Sequence, residues 1–187
     1  MKSGMPMPPL ALQDEVSLSV SLHVMEQTKK AMEAEGKTFT PHPAMSVVEK
    51  MVKEFGREGK KVSKGFYDYP ENGEKHLWSD LTELYQTTDE QPSQQDLVDR
   101  LLYVQANETA KCYEENVVRT VADANIGSIF GWGFAPNQGG TLQFINSVGV
   151  DKFVARSREL AQKYGARFEP AQILVAMAAK GEVFSDD

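Results

Sequence analysis

Cysteine is nearly absent from this chain of 187 residues, since Cys112 is the only one. No internal disulfide and no paired-cysteine metal motif can therefore form. Long apolar runs are also missing, because no window approaches the roughly 18 apolar residues of a membrane span. Positive charge is scarce: 20 lysines and arginines face 27 acidic residues, and the net charge is −7. This charge balance excludes nucleic acid as a fitting partner, because phosphate backbones require a basic face.

The alternation of polar and apolar residues that marks strands is almost absent, whereas helical spacing recurs along the chain. The pattern predicts a first helix over residues 13–34, stopped by Gly36. Pro43 is placed to start a second helix, which Gly56 ends. Because the opening stretch has no signal-peptide pattern and a single cysteine suits a reducing compartment, we expect a cytoplasmic protein.

The second half of the chain carries clearer helix boundaries. Ser93 and Asp96 form a capping box that predicts the longest helix, over residues 94–118. Two further helices are predicted over residues 151–165 and 170–181, each ended by a glycine. Together these patterns predict about six helices and no sheet, which is an all-α fold.

Two stretches, residues 4–18 and 133–150, share one pattern. Each has a glycine, a bulky apolar residue, a proline-bearing loop, a short apolar segment and a small polar residue, Asp14 or Asn146. The long helix beginning near residue 94 opens the second copy, and the first copy has no such helix. We therefore predict that the chain begins inside its first repeat and is a fragment. The predicted domains are a first helical module over residues 1–85, a linker over 86–95 and a second module over 96–187.

These motifs resemble the C-terminal module of the 3-hydroxyacyl-CoA dehydrogenase family. The loop of residues 4–10 with Asp14 is similar to the family's proline-rich loop and its following aspartate, although Pro8 replaces a glycine. Residues 64–69, Lys-Gly-Phe-Tyr-Asp-Tyr, match the family's closing signature.

A second module of the same kind is found in multifunctional β-oxidation proteins, and residues 131–140 resemble it. There the family has proline and aspartate where this chain has Thr141 and Asn146. The resemblance implies two tandem helical modules, like the C-terminal domain of 6-phosphogluconate dehydrogenase. It also implies a substrate-cleft and dimerisation-type domain of an NAD-dependent L-3-hydroxyacyl-CoA dehydrogenase that acts in fatty-acid β-oxidation.

The same resemblance implies which parts of the enzyme lie elsewhere. The family places its NAD site and its catalytic histidine and glutamate on an upstream domain of the same polypeptide. This chain has no dinucleotide fingerprint, because Pro136 stands where the third glycine of a Gly-x-Gly-x-x-Gly motif would be. We assign no catalytic, cofactor-binding or metal-binding residue, and we expect the chain alone to be inactive. A hydratase domain and a thiolase subunit are further partners of the multifunctional type.

Two loops are candidates for ligand contact. Met5, Pro6, Met7 and Pro8 would line the acyl-CoA pocket at the interdomain cleft, as the resembling loop does, or would only lead rigidly into the next helix. The segment Gly139-Gly140-Thr141 could offer helix-start amides to an anion, but close helix packing is the commoner use of such a glycine pair.

One alternative function comes from a different class. The acidic surface and the tandem repeat would also suit a stand-alone, non-catalytic helical module that docks to another protein. Acyl-chain preference, oligomeric state and thiolase binding are not decided by the sequence.

Overall fold

The computed structural model describes residues 2–85 and 90–186. Its helices are α1 (Pro9–Val16), α2 (Leu18–Ala34), α3 (Ala44–Lys53), α4 (Leu81–Tyr85), α5 (Gln94–Glu114), α6 (Val121–Trp132), α7 (Thr141–Val148), α8 (Val150–Tyr164) and α9 (Gln172–Lys180). Strands β1 (Tyr67–Asp68) and β2 (His76–Leu77) form one small antiparallel sheet. The predicted all-α fold class is confirmed. None of the described helices is long and apolar enough to cross a membrane.

The described residues fall into two compact units. Residues 7–85 form the first unit, and residues 2–6 together with 90–186 form the second. Residues 86–89 of the predicted linker lie outside the described residues, and the predicted domain boundaries stay a prediction.

The first unit has a small apolar core where α2 packs against α3. Five buried side chains form this core: Leu18, Leu22, Val48, Met51 and Phe66. Because Phe66 belongs to the segment that follows α3, the core joins the two helices to residues 65–69, which we call the closing segment.

The second unit is built around α5, which packs against α7, α8 and α9. Its core holds an aromatic cluster in which the Tyr103 ring stacks on Phe153, with ring centroids 4.4 Å apart. Phe144 meets the Tyr103 ring edge-on at 5.5 Å. Helix α5 is therefore the element on which the second unit's core is assembled.

The predicted continuous helix over residues 13–34 was wrong, because the chain breaks it at Ser17. There φ is +81°, in the left-handed region, and α1 ends while α2 begins. The amide of Leu18 and the hydroxyl of Ser17 both donate to the Glu58 carbonyl, at 2.8 and 3.0 Å. The break is thus held by hydrogen bonds to Glu58, which lies 41 residues after Ser17 in the chain.

Other boundaries also differ from the prediction. The capping box is confirmed, since the Asp96 amide donates to Ser93 Oγ at 3.0 Å. However, α5 ends at residue 114, and Asn116 then takes a φ of +60°. The expectation of no sheet was wrong, because the closing segment pairs with residues 76–77. Helices α8 and α9 begin at residues 150 and 172, where residues 151 and 170 were predicted.

Candidate functional site

The closing segment is held by one buried carboxylate, that of Asp14, which is 1% exposed. One oxygen accepts the Phe66 amide at 2.8 Å, and the other accepts the Tyr67 amide at 2.8 Å and the Tyr69 hydroxyl at 3.0 Å. A buried carboxylate is tolerated when such donors replace its water. We call Asp14 with these three partners the Asp14 lock. It joins the end of α1 to the closing segment.

Gly65 allows this close approach. A Cβ atom at Gly65 would lie 2.1 Å from Asp14 Oδ1, so no other residue type fits without moving the carboxylate. The lock also acts on Tyr69: burial, and then the bond to Asp14, raise the pKa of the Tyr69 phenol above its ordinary value. The Tyr69 hydroxyl therefore stays protonated and remains a donor at neutral pH.

Arg57 secures the other side of the closing segment and was not singled out from the sequence. It is 6% exposed, and its Nε donates to the Gly65 carbonyl at 2.7 Å. Its Nη2 donates to Asp68 Oδ1 at 2.7 Å. The guanidinium also lies over the Trp78 ring, 4.4 Å from its centroid. The only sequence signal was an arginine between the loop glycines at 56 and 59, which does not identify these partners.

Asn146 occupies the equivalent place in the second unit. Its Oδ1 accepts the Phe184 amide at 3.0 Å, and its Nδ2 donates to the Phe184 carbonyl at 2.9 Å. Two residues later, the Asp186 carboxylate accepts the amides of Val121 and Ala122 at the start of α6. In both units, therefore, the polar residue singled out from the predicted repeat bonds the backbone of a segment that follows later in the chain.

The anion site considered at Gly139-Gly140-Thr141 is occupied by the protein itself. The Thr141 amide donates to Ser128 Oγ at 3.2 Å, and Asn125 Oδ1 accepts the amides of residues 142 and 143 at 3.0 Å each. A Cβ atom at Gly140 would lie 2.4 Å from Asn125 Cα. The packing interpretation is therefore confirmed, and the anion interpretation was wrong.

The four predicted substrate-loop residues are divided between the two units. Met5 and Pro6 belong to the second unit, where Met5 is half-buried against the core and its sulfur lies 3.6 Å from Gln105 Nε2. Met7 is half-buried and Pro8 is exposed at the start of the first unit. The Pro8 carbonyl accepts the Leu12 amide as α1 begins. Substrate contact by these residues stays a prediction.

The described residues hold no group of three His, Cys, Asp or Glu side chains that could bind a metal ion. His76 lies in β2 with its Nε2 at 3.8 Å from Asp68 Oδ2, and it is exposed. The Asp14 lock joins a carboxylate to two backbone amides and one hydroxyl. Its chemistry is that of holding a backbone segment in place.

Residues 1–69 match the family model of the 3-hydroxyacyl-CoA dehydrogenase, C-terminal domain. This match confirms the resemblance over that part of the chain, and the family is one of oxidoreductases. The matched region ends at Tyr69, so the whole Asp14 lock lies within it. The closing contact therefore lies in the part of the chain that matches the family model.

Proposed function

We propose that this chain is the C-terminal substrate-cleft and dimerisation-type domain of an NAD-dependent L-3-hydroxyacyl-CoA dehydrogenase in fatty-acid β-oxidation. The observation that carries the proposal is the Asp14 lock, which closes on the family's signature segment inside the matched region. NAD and the catalytic base would come from a separate domain of the same polypeptide. A hydratase domain, a thiolase subunit and a cytoplasmic location belong to the same proposal.

An exposed apolar face on α1 supports the idea that more helical chain belongs with the first unit. Aligning Asp14 with Asn146 aligns Leu10 with Leu142 and Leu12 with Phe144. Leu10 and Leu12 are 39% and 43% exposed, whereas Leu142 and Phe144 are 0% and 6% exposed.

In the second unit, α7 packs mainly against α5 and α6. Their Asn125 also caps α7, while no side chain caps the start of α1 among the described residues. Among the described residues, no helix of the first unit packs against α1 as α5 and α6 pack against α7, and α1 lies against α2, β1 and residues 60–62. A dehydrogenase that continues upstream would supply such helices.

Met5, Pro6, Met7 and Pro8 are proposed to line the acyl pocket in the assembled enzyme. Two thioethers in a proline-stiffened loop suit an alkyl chain, because methionine adapts its shape while the prolines limit the loop's freedom. Oxidation moves a hydride from the 3-carbon to NAD and a proton from the hydroxyl to a base. The loop would contribute to neither transfer and would only position the substrate.

The test is to join this chain to the NAD-binding domain of a 3-hydroxyacyl-CoA dehydrogenase and to follow NADH formation from a 3-hydroxyacyl-CoA. We expect activity from the joined protein and none from either part alone. Met7→Ala should raise the KM for the acyl-CoA several-fold with little change in kcat, because it removes binding contact and no reacting group. Met32→Ala, at the far end of α2, is the matched control.

Circular dichroism of the joined protein separates a failed fold from a failed function. A folded chimera that neither binds acyl-CoA nor forms NADH would contradict the proposal and favour a non-catalytic interaction module. Equal kinetics for Met7→Ala and Met32→Ala would overturn the role of the loop alone.

A further inference from the structure

An apolar groove runs between α5 and α6 of the second unit and encloses about 430 Å³. Thr109 and Cys112 line it from α5, and Ala124, Gly127 and Trp132 line it from α6. Gly127 leaves the floor open, because nothing lies within 4 Å of a Cβ atom built there. We call this feature the α5–α6 groove.

Three polar side chains in its walls already donate hydrogen bonds within the protein. Trp132 Nε1 donates to Gln105 Oε1 at 2.9 Å, and Thr109 Oγ1 donates to the Gln105 carbonyl at 3.0 Å. Ser128 Oγ donates to the Asn125 carbonyl at 2.8 Å. The groove between these side chains therefore favours an apolar occupant, since their donors are not available to a polar one.

The outer face of α6 extends this apolar surface. Phe130 is 85% exposed, and Ile126 and Trp132 are more than half exposed. A surface helix ordinarily turns a polar face to water, yet Asp123 is the one charged residue of α6. Such a face marks an interaction surface.

The charges at the groove are acidic. Glu108 and Asp123 line it. Asp123 forms no ion pair among the described residues, and Glu108 forms an exposed ion pair with Lys111 at 3.2 Å. These carboxylates disfavour a fatty acid or a CoA phosphate and favour an occupant that carries lysine or arginine beside its apolar part.

The size of the surface argues against a second copy. Ile126, Phe130 and Trp132 together expose roughly 400–450 Å², which is about half of the ~800 Å² per partner of a standard interface. One helix laid into a groove through spaced apolar anchors needs a smaller surface. A second copy would also bring the same two carboxylates against this face.

We propose that the α5–α6 groove is a docking site for a basic amphipathic helix of a partner protein. An apolar anchor of that helix enters the groove over Gly127 and packs on Trp132. Its lysine or arginine side chains pair with Asp123 and Glu108, and its remaining apolar residues cover Ile126 and Phe130. This site is independent of dehydrogenase activity and of the Asp14 lock.

The test uses two labelled helical peptides with the same leucine face, one flanked by lysines and the other by glutamates. Fluorescence anisotropy with the full chain should give binding at least about tenfold tighter for the lysine peptide. Bound lysine peptide should also slow alkylation of Cys112, which lines the groove and is half-buried.

Two variants and one control test where the peptide binds. Gly127→Leu fills the groove at a position with free space and should abolish binding, whereas Ala179→Leu adds the same side chain to exposed α9 and should not. Asp123→Lys should reverse the preference between the peptides. Equal binding of both peptides, no binding of either, or binding that survives Gly127→Leu would overturn the proposal. Sedimentation that shows a dimer broken by Gly127→Leu would also overturn it and assign the face to a second copy.

Discussion

The two units use the same joint between two helices but reach it with different residues. In the first unit, Ser17 separates α1 from α2 with φ +81° and ψ 129°. In the second, Gly149 separates α7 from α8 with φ +93° and ψ 125°. Glycine adopts this conformation at no steric cost, whereas serine is strained in it. The hydrogen bond from Ser17 to the Glu58 carbonyl offsets that strain. The backbone conformation at the joint is therefore nearly the same in both units, although a serine forms it in one and a glycine in the other.

The polar residue beside the joint also differs for a physical reason. Asp14 faces three donors and must accept from all of them. Asn146 faces one backbone amide and one carbonyl, and so it must both accept and donate. The closing segment on the opposite side therefore decides whether a carboxylate or an amide fits.

The cores differ most. Five buried apolar residues form the first core, whereas the second core extends over α5 to α9. A smaller core leaves the first unit more dependent on its polar lock, because buried apolar area supplies most of the folding free energy.

Asp14→Ala tests this dependence and should have the largest effect. Two backbone amides and one hydroxyl would lose their acceptor, which should cost the first unit about 3 kcal/mol. Hydrogen exchange of the Leu18 and Leu22 amides should accelerate, while exchange in the core of the second unit should not change. Asp14→Asn is the matched control, with a smaller loss, because one oxygen can still accept. Unchanged exchange in the first unit would show that the lock does not hold the fold.

Asn146→Asp makes the reciprocal change in the second unit. A carboxylate cannot donate to the Phe184 carbonyl and repels it, so we expect a loss of about 2 kcal/mol at neutral pH. Urea unfolding of the second unit measures this loss. The loss should shrink in acid, where a protonated carboxyl can donate again. A variant as stable as the parent chain would mean that the two polar residues are interchangeable.

Acid should weaken a clamp in the second unit that joins α5 to α8. Asp96 accepts the Tyr164 hydroxyl and Arg156 Nη2, both at 2.6 Å. The Tyr164 hydrogen bond, and then the Arg156 bond, lower the pKa of the Asp96 carboxyl well below its ordinary value. Its contribution is therefore present above the ordinary aspartate range and is lost only as the pH falls through the lowered pKa. When Asp14 is aligned with Asn146, Val24 of the first unit is aligned with Arg156.

Unfolding midpoints of the second unit measured between neutral and strongly acidic pH would reveal this clamp. Asp96→Asn should lower the midpoint at neutral pH and flatten its dependence on acid. If the midpoint depends on pH in the same way for Asp96→Asn and for the parent chain, Asp96 does not stabilise the second unit.

Ser17→Gly should have the smallest effect, within about 0.5 kcal/mol. Relief of roughly 1 kcal/mol of strain is offset by loss of a hydrogen bond of similar size. Gly149→Ala, which adds strain and no hydrogen bond, should destabilise the second unit by about 1 kcal/mol. Thermal unfolding of both variants compares the joints directly. Equal losses for the two would show that the Glu58 contact does not compensate for the strain.

Part of the site could be predicted from the sequence. The repeat, a local pattern of residue type and spacing, pairs Asp14 with Asn146, and residues 64–69 match the closing signature of the family that the chain resembles. The bond between Asp14 and that segment could not be predicted, because the Phe66 amide lies 52 positions from Asp14 along the chain. Arg57 was missed for the same reason, since its partners are backbone carbonyls and a ring that no local pattern indicates.

The sequence by itself determined the all-α class, the Ser93 cap and most of the glycine helix ends. These follow from spacing and backbone preference within a few residues, which act wherever the segment lies in space. Only the tertiary structure decided that a serine would break the first helix, that Asn125 would occupy the start of α7, and that Leu10 would be exposed while Leu142 is buried. Those outcomes depend on which distant segment supplies a hydrogen-bond partner or covers an apolar face, and helical periodicity carries no information about either.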